Sequence, residues 1–401
     1  MYLKFTKTFF LLVAFTCVFS CKEKKVEVVK PKTVIEKAEE QYALLLQDAE
    51  ASNKIPRTLN KDGEMHWTHQ RFDWTEGFYP GSMWYLFEET KDEKWRKAAE
   101  KFQTLFEDHK NLTTNHDLGF VFNCSYGNGY RLTKNEAFKA VMINAAESLI
   151  TRFNPKVGCI KSWDVASGWQ KERGWKYPVI IDNMMNLELL FEVSKLTENS
   201  KYKDVAITHA NTTLKNHFRE NNSSVHVVDY DPETGEVRGK HTAQGFADGS
   251  SWARGQAWGL YGYTVCYRYT KDEKYLQKAK KIAKYILEYK GTPADGIPYW
   301  DYNAPNIPNE PRDVSAAAIT ASALIELNRY TETSYLLAIN KILESLKTPE
   351  YTAKLGENKH FILKHSVGSI PHGNEIDVPL NYADYYYLEA LGRYKSYNLN
   401  Q

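Results

Sequence analysis

Cysteine is scarce in this chain, and its cysteines do not form a recognisable site. Five cysteines occur among 401 residues, and no two of them make a CxxC pair. Beyond Cys17 and Cys21, the remaining Cys124, Cys159 and Cys266 are widely spaced and allow at most one disulfide. The absence of paired cysteines excludes zinc ribbons and dithiol redox centres.

The sequence also lacks the common motifs that bind nucleotides and metals. Neither of the usual Gly-rich phosphate loops occurs. His66 and His69 have the spacing of metal ligands on a helix, but no glutamate pattern or third clear ligand accompanies them. We therefore predict no metal and no cofactor.

An excess of charge of one sign is absent too. The chain has 52 Lys and Arg against 50 Asp and Glu, and the first 20 residues hold two of the lysines, Lys4 and Lys7. A chain so close to neutral lacks the overall excess of positive charge that favours binding to phosphate backbones. The charge balance argues against a nucleic-acid partner.

Long apolar runs are missing except at the N-terminus, from Phe9 to Ser20. This run is too short to cross a bilayer as a helix, and it ends at Cys21 in a sequence typical of a lipoprotein export signal. We predict a lipoprotein signal peptide over residues 1–20, acylation of Cys21 and a tether over residues 21–33. The protein is then an exported bacterial lipoprotein of the periplasm or outer membrane, attached to the membrane only through its lipid. An ordinary secretory signal with an incidental cysteine is the alternative.

The remaining chain, residues 34–401, contains an internal repeat. A threonine, a short polar turn and an aromatic residue recur, and each turn separates an apolar segment from a lysine-rich amphipathic one. The repeats are Thr90-Lys-Asp-Glu-Lys-Trp95, Thr133-Lys-Asn-Glu-Ala-Phe138, Thr197-Glu-Asn-Ser-Lys-Tyr202, Thr270-Lys-Asp-Glu-Lys-Tyr275 and the shorter Thr331-Glu-Thr-Ser-Tyr335.

This alternation predicts an all-α catalytic domain, an (α/α)6 toroid of six inner and six outer helices. The apolar segments before the turns are the inner helices, and the amphipathic segments after them are the outer, half-solvated helices. Strand signals are limited to residues 224–230 and 236–238. His209 and His217, on an outer helix, are expected to be solvated, whereas Trp84 and Trp95 are expected in the core.

Two aspartates begin inner helices and are the candidate catalytic residues. Asp182 follows Val179-Ile-Ile181 and precedes Met184 and Met185, while Asp117 begins the apolar segment before it along the chain. Burial raises the pKa of a carboxyl, and two acids in unequal surroundings are the usual means of breaking a glycosidic linkage. The alternative is that each aspartate is an N-cap for its helix.

The loops before the inner helices gather at one end of such a ring, and they are rich in polar and aromatic residues. Aromatic rings with amides and carboxylates suit a sugar, which has apolar faces and a rim of hydroxyls. These residues include Arg71, Asp73, Trp74, Glu76, His116, Trp163, Trp169, His241, Gln244, Ser251, Gln256, Arg312, Asp313, His372, Asn374 and Asp377.

Four motifs carry a resemblance to a known family. They are Asn115-His-Asp-Leu-Gly-Phe120, Ile181-Asp-Asn-Met-Met-Asn186, Ser251-Trp-Ala-Arg-Gly-Gln-Ala-Trp258 and Asn381-Tyr-Ala-Asp-Tyr-Tyr-Tyr387. Together, in this order, they resemble the unsaturated glucuronyl hydrolases of glycoside hydrolase family 88. The resemblance runs from about Trp67 to Leu391, which is nearly the whole body of the chain.

The resemblance implies a hydrolase that removes the 4,5-unsaturated uronic acid left by polysaccharide lyases at the non-reducing end of their products. In the family one aspartate protonates C4 of the double bond and then assists water attacking C5, so that the resulting hemiketal opens and expels the rest of the chain. Asp182 matches this acid/base, and Asp117 matches a second essential carboxylate that holds ring hydroxyls. The partner is an unsaturated uronyl oligosaccharide, and we expect a monomer.

Further residues are candidates for substrate binding. Arg254 is placed to meet the substrate carboxylate from the same helix face as Trp258, four residues later; its alternative is a structural cap for a neighbouring helix. Trp252 is the preferred stacking platform. The other candidates are Trp74, His116, Trp163, His226, His241, Gln244 and His372.

Two other functions compete with this hypothesis. The unsaturated rhamnogalacturonyl hydrolases of family 105 share the toroid and the hydration chemistry, and a glycan-binding lipoprotein would use the cavity for capture alone. Both acids are present, which favours catalysis, because capture does not need a protonated carboxyl. The sequence leaves open which polysaccharide supplies the substrate.

Overall fold

The computed structural model describes residues 1–4, 32–68 and 71–399. Residues Val34–Gln401 form one compact unit, and Met1–Thr33 form a separate one. Most of the predicted signal peptide, the predicted acylation site Cys21 and nearly all of the tether lie outside the described residues.

Helices dominate the compact unit and alternate between an outer and an inner layer. In chain order they are α1 (Val34–Ser52), α2 (Phe78–Thr90), α3 (Glu93–Gln103), α4 (Leu118–Phe122), α5 (Asn128–Thr133), α6 (Glu136–Ile150), α7 (Gly168–Glu172), α8 (Leu187–Thr197), α9 (Ser200–Asn216), α10 (Ala253–Thr270), α11 (Glu273–Glu288), α12 (Val314–Leu327), α13 (Leu336–Leu346) and α14 (Asn381–Leu399). The outer helices are α1, α3, α6, α9, α11 and α13. The inner ones are α2, α4 with α5, α8, α10, α12 and α14. The predicted toroid is confirmed.

Two inner helices are less regular than the sequence predicts. A π-helical turn at Asn123–Gly127 joins α4 to α5. A 3₁₀ turn at Ile181–Asn186 precedes α8. These two irregular segments belong to the helices that begin with Asp117 and Asp182. Irregular turns of both kinds often occur at functional positions.

The repeated threonine turn has a physical explanation. The Thr90 hydroxyl donates to the Leu86 carbonyl at 2.7 Å and accepts from the Asp92 backbone N–H at 3.2 Å. Lys91 adopts the left-handed conformation that ends α2, and the Asp92 side chain accepts from the Lys94 backbone N–H as N-cap of α3. The same left-handed residue followed by an N-cap recurs at Lys134-Asn135, Glu198-Asn199 and Lys271-Asp272.

Burial separates the two layers. Every residue of α12 is buried, whereas α11 buries one face, with Ile282 and Ala283 inward and its lysines outward. Trp84 and Trp95 are fully buried, as predicted. His209 and His217 are also buried, which corrects the expectation that they are solvated: His209 Nδ1 accepts from the Ile160 N–H and His217 contacts the Val179 carbonyl, both at 3.0 Å.

Short antiparallel strands occupy the loops. They are β1 (Pro56–Leu59), β2 (Met65–Trp67), β3 (Phe153–Asn154), β4 (Cys159–Ile160), β5 (Tyr177–Ile180), β6 (Val227–Tyr230), β7 (Val237–His241), β8 (Ser366–Ser369) and β9 (Asn374–Val378). The sequence predicts only β6 and β7. The three-stranded sheet β5-β6-β7 leads directly into the segment of Asp182 and so fixes its backbone.

Within the described residues, no helix has the length and apolar character that crossing a bilayer requires. The same part of the chain contains no group of three or more His, Cys, Asp and Glu side chains placed to hold a metal ion.

Candidate active site

A cavity of about 380 Å³ opens at the end of the toroid where the inner helices begin. It is lined by Arg57, Trp74, His116, Asp117, Phe120, Trp163, Trp169, Gln170, Ile180, Asp182, Ala243, Gln244, Arg254, Gly368, Ser369, His372, Asn374, Glu375 and Tyr382. Both candidate acids therefore reach one opening. The predicted residues that line it are Trp74, His116, Asp117, Trp163, Trp169, Asp182, Gln244, Arg254, His372 and Asn374.

A larger cavity, of about 960 Å³, lies at the opposite end of the toroid. Five of its charges, all partly or fully buried, pair with one another: Arg268 contacts Glu188 and Glu326, and Arg393 contacts Glu326 and Glu389. Because these groups neutralise each other at the helix ends, we assign this cavity a structural role and place the chemistry at the smaller one.

Close packing of two inner helices brings the acids together. A Cβ atom on Gly119 would lie 2.3 Å from Asn186 Cα, so glycine alone allows this approach. The Asn186 side-chain oxygen also accepts from the Phe120 backbone N–H at 3.0 Å. Asp117 is two residues before Gly119 and Asp182 four before Asn186, so this contact holds both carboxyls at the mouth.

Neither carboxylate is used as a helix cap. Asp117 occupies the N-cap position of α4 but makes no side-chain cap bond. Asp182 lies inside the 3₁₀ turn, and its Oδ2 is buried without a hydrogen-bond partner among the described residues. Asp313, by contrast, accepts from Ser315 and Ala316 as the N-cap of α12. The N-cap alternative therefore does not describe the two candidate acids.

The surroundings raise the pKa of both carboxyls. Burial, with the charge of Asp182, raises the pKa of Asp117 to about 8. Burial raises the pKa of Asp182 to about 7, although the positive charge of Arg254 opposes the rise. The sequence predicts that Asp182 holds the proton, whereas in the structure both pKa values are raised and that of Asp117 is the higher. At neutral pH the pair retains a proton.

A neutral histidine faces Asp117. Burial lowers the pKa of His116 to about 3, so the ring is uncharged. Asn186 Nδ2 lies 3.3 Å from His116 Nδ1, and because an amide nitrogen donates, Nδ1 accepts and Nε2 carries the hydrogen. His116 Nε2 lies 3.3 Å from Asp117 Oδ1. The Nε2–H group therefore lies beside the carboxyl, although it makes no hydrogen bond among the described residues.

A second neutral histidine faces Asp182. His226 Nδ1 accepts from the backbone N–H groups of Ala243 and Gln244 at 3.1 and 3.2 Å, which places its hydrogen on Nε2. His226 Nε2 lies 3.6 Å from Asp182 Oδ2, and burial lowers the pKa of the ring well below its ordinary value. His226 is itself buried and lies behind Asp182, outside the cavity lining, so its role is to support the acid.

Tryptophan rings form two walls of the cavity. The Trp163 ring stacks on Trp175 at a centroid distance of 6.0 Å and meets Trp169 edge-on at 5.1 Å. On another side Trp74 packs against Tyr382 at 4.9 Å. Their lining positions leave aromatic surface for a sugar ring. Trp163 and Trp74 are therefore better stacking candidates than Trp252.

Trp252 is not the stacking platform that the sequence predicts. Its side chain is buried and lies outside the cavity lining. Its ring lies under the Arg254 guanidinium, at 4.5 Å, and against His226, with centroids 4.6 Å apart. Trp252 thus supports two charged or polar groups of the site and has no free face for a substrate.

Trp258 and His241 are likewise displaced from the predicted positions. Trp258 is fully buried and packs edge-on against Phe120 and Tyr386, because α10 is enclosed on all sides at this depth. His241 ends β7, half-buried against Trp175 and 3.5 Å from an Asp248 oxygen. Neither lines the cavity.

Arg254 lines the cavity but its guanidinium is already bonded. Its Nη1 contacts Asp313 Oδ2 at 3.0 Å and the Val367 carbonyl, and its Nη2 donates to the Gly368 carbonyl at 2.7 Å. Nε has no partner among the described residues. Most of its donors therefore bond to Asp313 and to carbonyls of β8, so Arg254 is not the helix cap that the sequence offered as its alternative, and its charge acts on the site from within the wall.

The hairpin β8-β9 and strand β1 also contribute to the cavity, and one of these residues, Arg57, is not predicted from the sequence. Gly368, Ser369 and Glu375 line the cavity, and Arg57 of β1 donates to Glu375 at 2.7 Å and to Asp73 at 2.8 Å. Arg57 thereby joins the hairpin to the loop that carries Trp74. No local motif marks Arg57, since its partners are remote in sequence.

Residues 49–263 match the model described as Glycosyl Hydrolase Family 88. The chain belongs to this family.

Family members of known name cover nearly all of the chain. It is 44% identical to an unsaturated glucuronyl hydrolase of Formosa agariphila, over 88% of each protein. It is 33% identical to an unsaturated chondroitin disaccharide hydrolase of Streptococcus agalactiae, over 94% of this chain and 93% of that protein. A crystal structure of an unsaturated glucuronyl hydrolase specific for heparin has 44% identity and a TM-score of 0.84, covering 90% of this chain and 97% of that one.

Membership of family 88 decides two of the open alternatives. It favours the glucuronyl hydrolases over family 105, and it identifies the chain as an enzyme instead of a glycan-capture protein.

The Gly119 contact gives a first testable prediction. We expect Gly119→Ala to lower the free energy of unfolding by about 1–3 kcal/mol, since the new methyl meets the backbone of Asn186, which cannot rotate away. Turnover falls as well, because the same contact holds Asp117 beside Asp182. Chemical denaturation measures the first effect. Gly249→Ala, where nothing lies within 4 Å of the added Cβ, is the control and stays near wild type.

Arg57 gives a second prediction. Arg57→Met leaves the carboxylates of Asp73 and Glu375 without their cation, and we expect a loss of about 3–5 kcal/mol in the free energy of unfolding. Arg131→Met removes a similar pair with Glu88 that is exposed, and costs about 1 kcal/mol or less. Equal losses in the two variants, measured by chemical denaturation, would contradict the role given to Arg57.

Proposed function

We propose that this family 88 enzyme removes the 4,5-unsaturated uronic acid from the non-reducing end of lyase-generated oligosaccharides by hydrating the C4=C5 double bond. One observation carries the proposal: two carboxyls with raised pKa values reach the same tryptophan-walled cavity and retain a proton between them at neutral pH. Protonating an enol-ether carbon requires such a carboxyl.

Asp182, Asp117 and His226 have different roles in the proposed reaction. Asp182 passes the retained proton to C4, and its carboxylate then assists water attacking C5. The resulting hemiketal opens and releases the shortened oligosaccharide. Asp117 holds ring hydroxyls and shares the proton with Asp182. The His226 N–H stabilises the Asp182 carboxylate once the proton has left. No bond forms between the enzyme and the anomeric carbon.

The substrate's own charge assists this chemistry. The cations of the cavity wall, Arg57 and Arg254, are already paired with Asp73, Glu375 and Asp313. A uronate entering beside the acids adds negative charge that these pairs do not cancel. Because a nearby negative charge disfavours ionisation of a carboxyl, bound substrate further favours the protonated pair.

The ultraviolet absorbance of the substrate tests the activity. The double bond is conjugated with the carboxylate and absorbs, so the enzyme erases this absorbance as it hydrates the bond. The same oligosaccharide with a saturated terminal uronate is the control, and no oligosaccharide is released from it. Unchanged absorbance with every unsaturated uronyl disaccharide would refute the proposal.

The choice of polysaccharide calls for a panel of disaccharides. One relative is named for chondroitin disaccharides and a solved relative for heparin, so disaccharides from chondroitin, hyaluronan, heparin and ulvan lyases are compared side by side. The ratio of kcat/KM values identifies the preferred substrate.

We further propose that the protein is an exported lipoprotein of the periplasm or outer membrane, anchored through Cys21 and monomeric. The apolar run that ends at Cys21 supports the anchor. Metabolic labelling with a radioactive fatty acid tests it, and Cys21→Ala abolishes the label. Light scattering of the protein without residues 1–21 gives its mass in solution, and a dimer mass would contradict the monomer.

A further inference from the structure

A second groove lies on the outside of the toroid, away from the two acids. Its volume is about 920 Å³, and it runs between α11 and the loop that follows Trp300. Tyr285, Tyr289 and Tyr302 line it together with lysines of α11. None of its lining residues lines the catalytic cavity.

Three tyrosine rings form the apolar part of this groove. Tyr285 and Tyr302 are 5.6 Å apart between centroids, Tyr289 and Tyr302 5.0 Å, and Tyr285 and Tyr289 5.6 Å. Tyr302 is buried at the base, whereas Tyr285 and Tyr289 are half-exposed. The solvent-facing side of an outer helix usually carries lysines and acids, so half-exposed rings are unusual there. Aromatic rings around a concave surface suit the apolar face of a sugar.

Hydrogen bonds fix the base of the groove in place. The Tyr302 N–H donates to the Ser251 carbonyl at 2.9 Å, and the Ser251 N–H donates to Asn303 Oδ1 at 3.0 Å. The Asn303 amide in turn donates to the Tyr289 hydroxyl at 3.1 Å. The rings are therefore held in position without a ligand, which reduces the entropy lost on binding.

The rim of the groove carries excess positive charge. Lys281, Lys284 and Lys290 line it with one acid, Glu288. Lys284 Nζ is 3.8 Å from Glu288, and in the part of the chain that the structure describes neither Lys281 nor Lys290 has an ion-pair partner. The exposed lysines thus remain able to pair with an anion.

We propose that this groove is a second binding site for acidic oligosaccharide, in addition to the catalytic cavity. The proposal rests on the proposed function, because that function makes uronate-bearing chains the polymers the enzyme meets. The tyrosine rings stack on a sugar ring while the lysines pair with its carboxylate or sulfate groups.

The groove lies close to the catalytic cavity. Ala304 and Ile307 line the groove and pack in one apolar cluster with Val367, whose neighbour Gly368 lines the catalytic cavity. A chain held in the groove is therefore kept close to the mouth of the cavity. Binding there raises the local concentration of lyase products around the catalytic site.

Affinity electrophoresis of the folded enzyme through gels containing intact chondroitin sulfate, hyaluronan or neutral dextran tests the proposal. The intact polysaccharides have no unsaturated end group for the catalytic cavity. We expect retardation by the acidic polymers alone, and Tyr289→Ala and Lys281→Gln/Lys284→Gln each weaken it about tenfold or more. Lys97→Gln/Lys101→Gln on α3 is the charge-matched control and leaves the retardation near that of wild type.

The outcomes separate this site from the active site. We expect the groove variants to turn over an unsaturated disaccharide at the wild-type rate. The hydrolase activity and the second binding site can therefore be confirmed or refuted independently. Absence of retardation in wild type, equal retardation by dextran, or equal losses in the α3 control would each overturn the second site. Loss of disaccharide turnover in the groove variants would show that the groove is not separate from the catalytic machinery.

Discussion

The Asp182→Asn variant is expected to lose activity by about 10³-fold or more, because one side chain both donates the proton and assists the water. An amide cannot supply a proton to C4 and cannot accept one from water at neutral pH. The change is nearly isosteric, so the cavity keeps its shape. The rate of absorbance loss with an unsaturated disaccharide measures the effect as kcat, and calorimetry shows that the disaccharide still binds.

A buried aspartate outside the cavity provides the control. Burial raises the pKa of Asp384 to about 7, as it does for Asp182, but Asp384 accepts from the Ile362 and Leu363 backbone N–H groups at 2.9 and 2.8 Å. Asp384→Asn is therefore expected to lower the melting temperature while leaving turnover per folded molecule near wild type. Retained turnover in Asp182→Asn would remove the acid/base role from Asp182.

The fold was predictable because its repeat is local. The left-handed residue and the N-cap at each turn, as in Lys91 and Asp92, need only neighbouring backbone groups, so they leave a readable sequence pattern. The strand pairs were mostly not predictable, since β3 and β4 are two residues each and pair only because the surrounding helices hold them. Strand signals that short carry little information.

The candidate site was predictable in part. Asp117 and Asp182 stand beside apolar segments at the starts of inner helices, so their position follows from the helix pattern. The roles of Trp252 and Trp258 did not follow, because an inner helix is enclosed by others and helical spacing cannot tell which of its faces meets the cavity. Arg57 was missed because it acts through Glu375, a contact between opposite ends of the chain.

The raised pKa values also required the structure. The sequence suggested one protonated acid and one charged neighbour. Which of the two has the higher pKa depends on where Arg254 lies and on its bonds to Asp313 and to backbone carbonyls. In the structure the positive charge opposes the rise in the pKa of Asp182, whereas the charge of Asp182 adds to the rise in the pKa of Asp117. Because the two carboxyls interact, they titrate as a pair. This pairing makes the pH profile the most direct test of Asp117.

Asp117→Asn is expected to lower kcat about 10²-fold and to move the alkaline limb of the pH profile to lower pH. In the wild type the pair keeps its last proton up to a pKa of about 8, that of Asp117. With an amide at this position the proton depends on Asp182 alone, whose pKa is about 7, so it is lost about one pH unit earlier. The limb moves to lower pH because the protonated pair is the active form. Activity is therefore high below the pKa and falls as the pH rises through it.

Initial rates of absorbance loss between about pH 5 and 9 give kcat for both enzymes. Asn123→Asp, which adds a carboxylate at the opposite end of the toroid, is the charge-change control and leaves the alkaline limb in place. An alkaline limb that stays fixed in Asp117→Asn, with kcat lowered, would show that Asp117 only positions the substrate. The proposal that Asp117 and Asp182 share a proton would then be wrong. Removing the carboxyl that holds the last proton must move the alkaline limb of the pH profile.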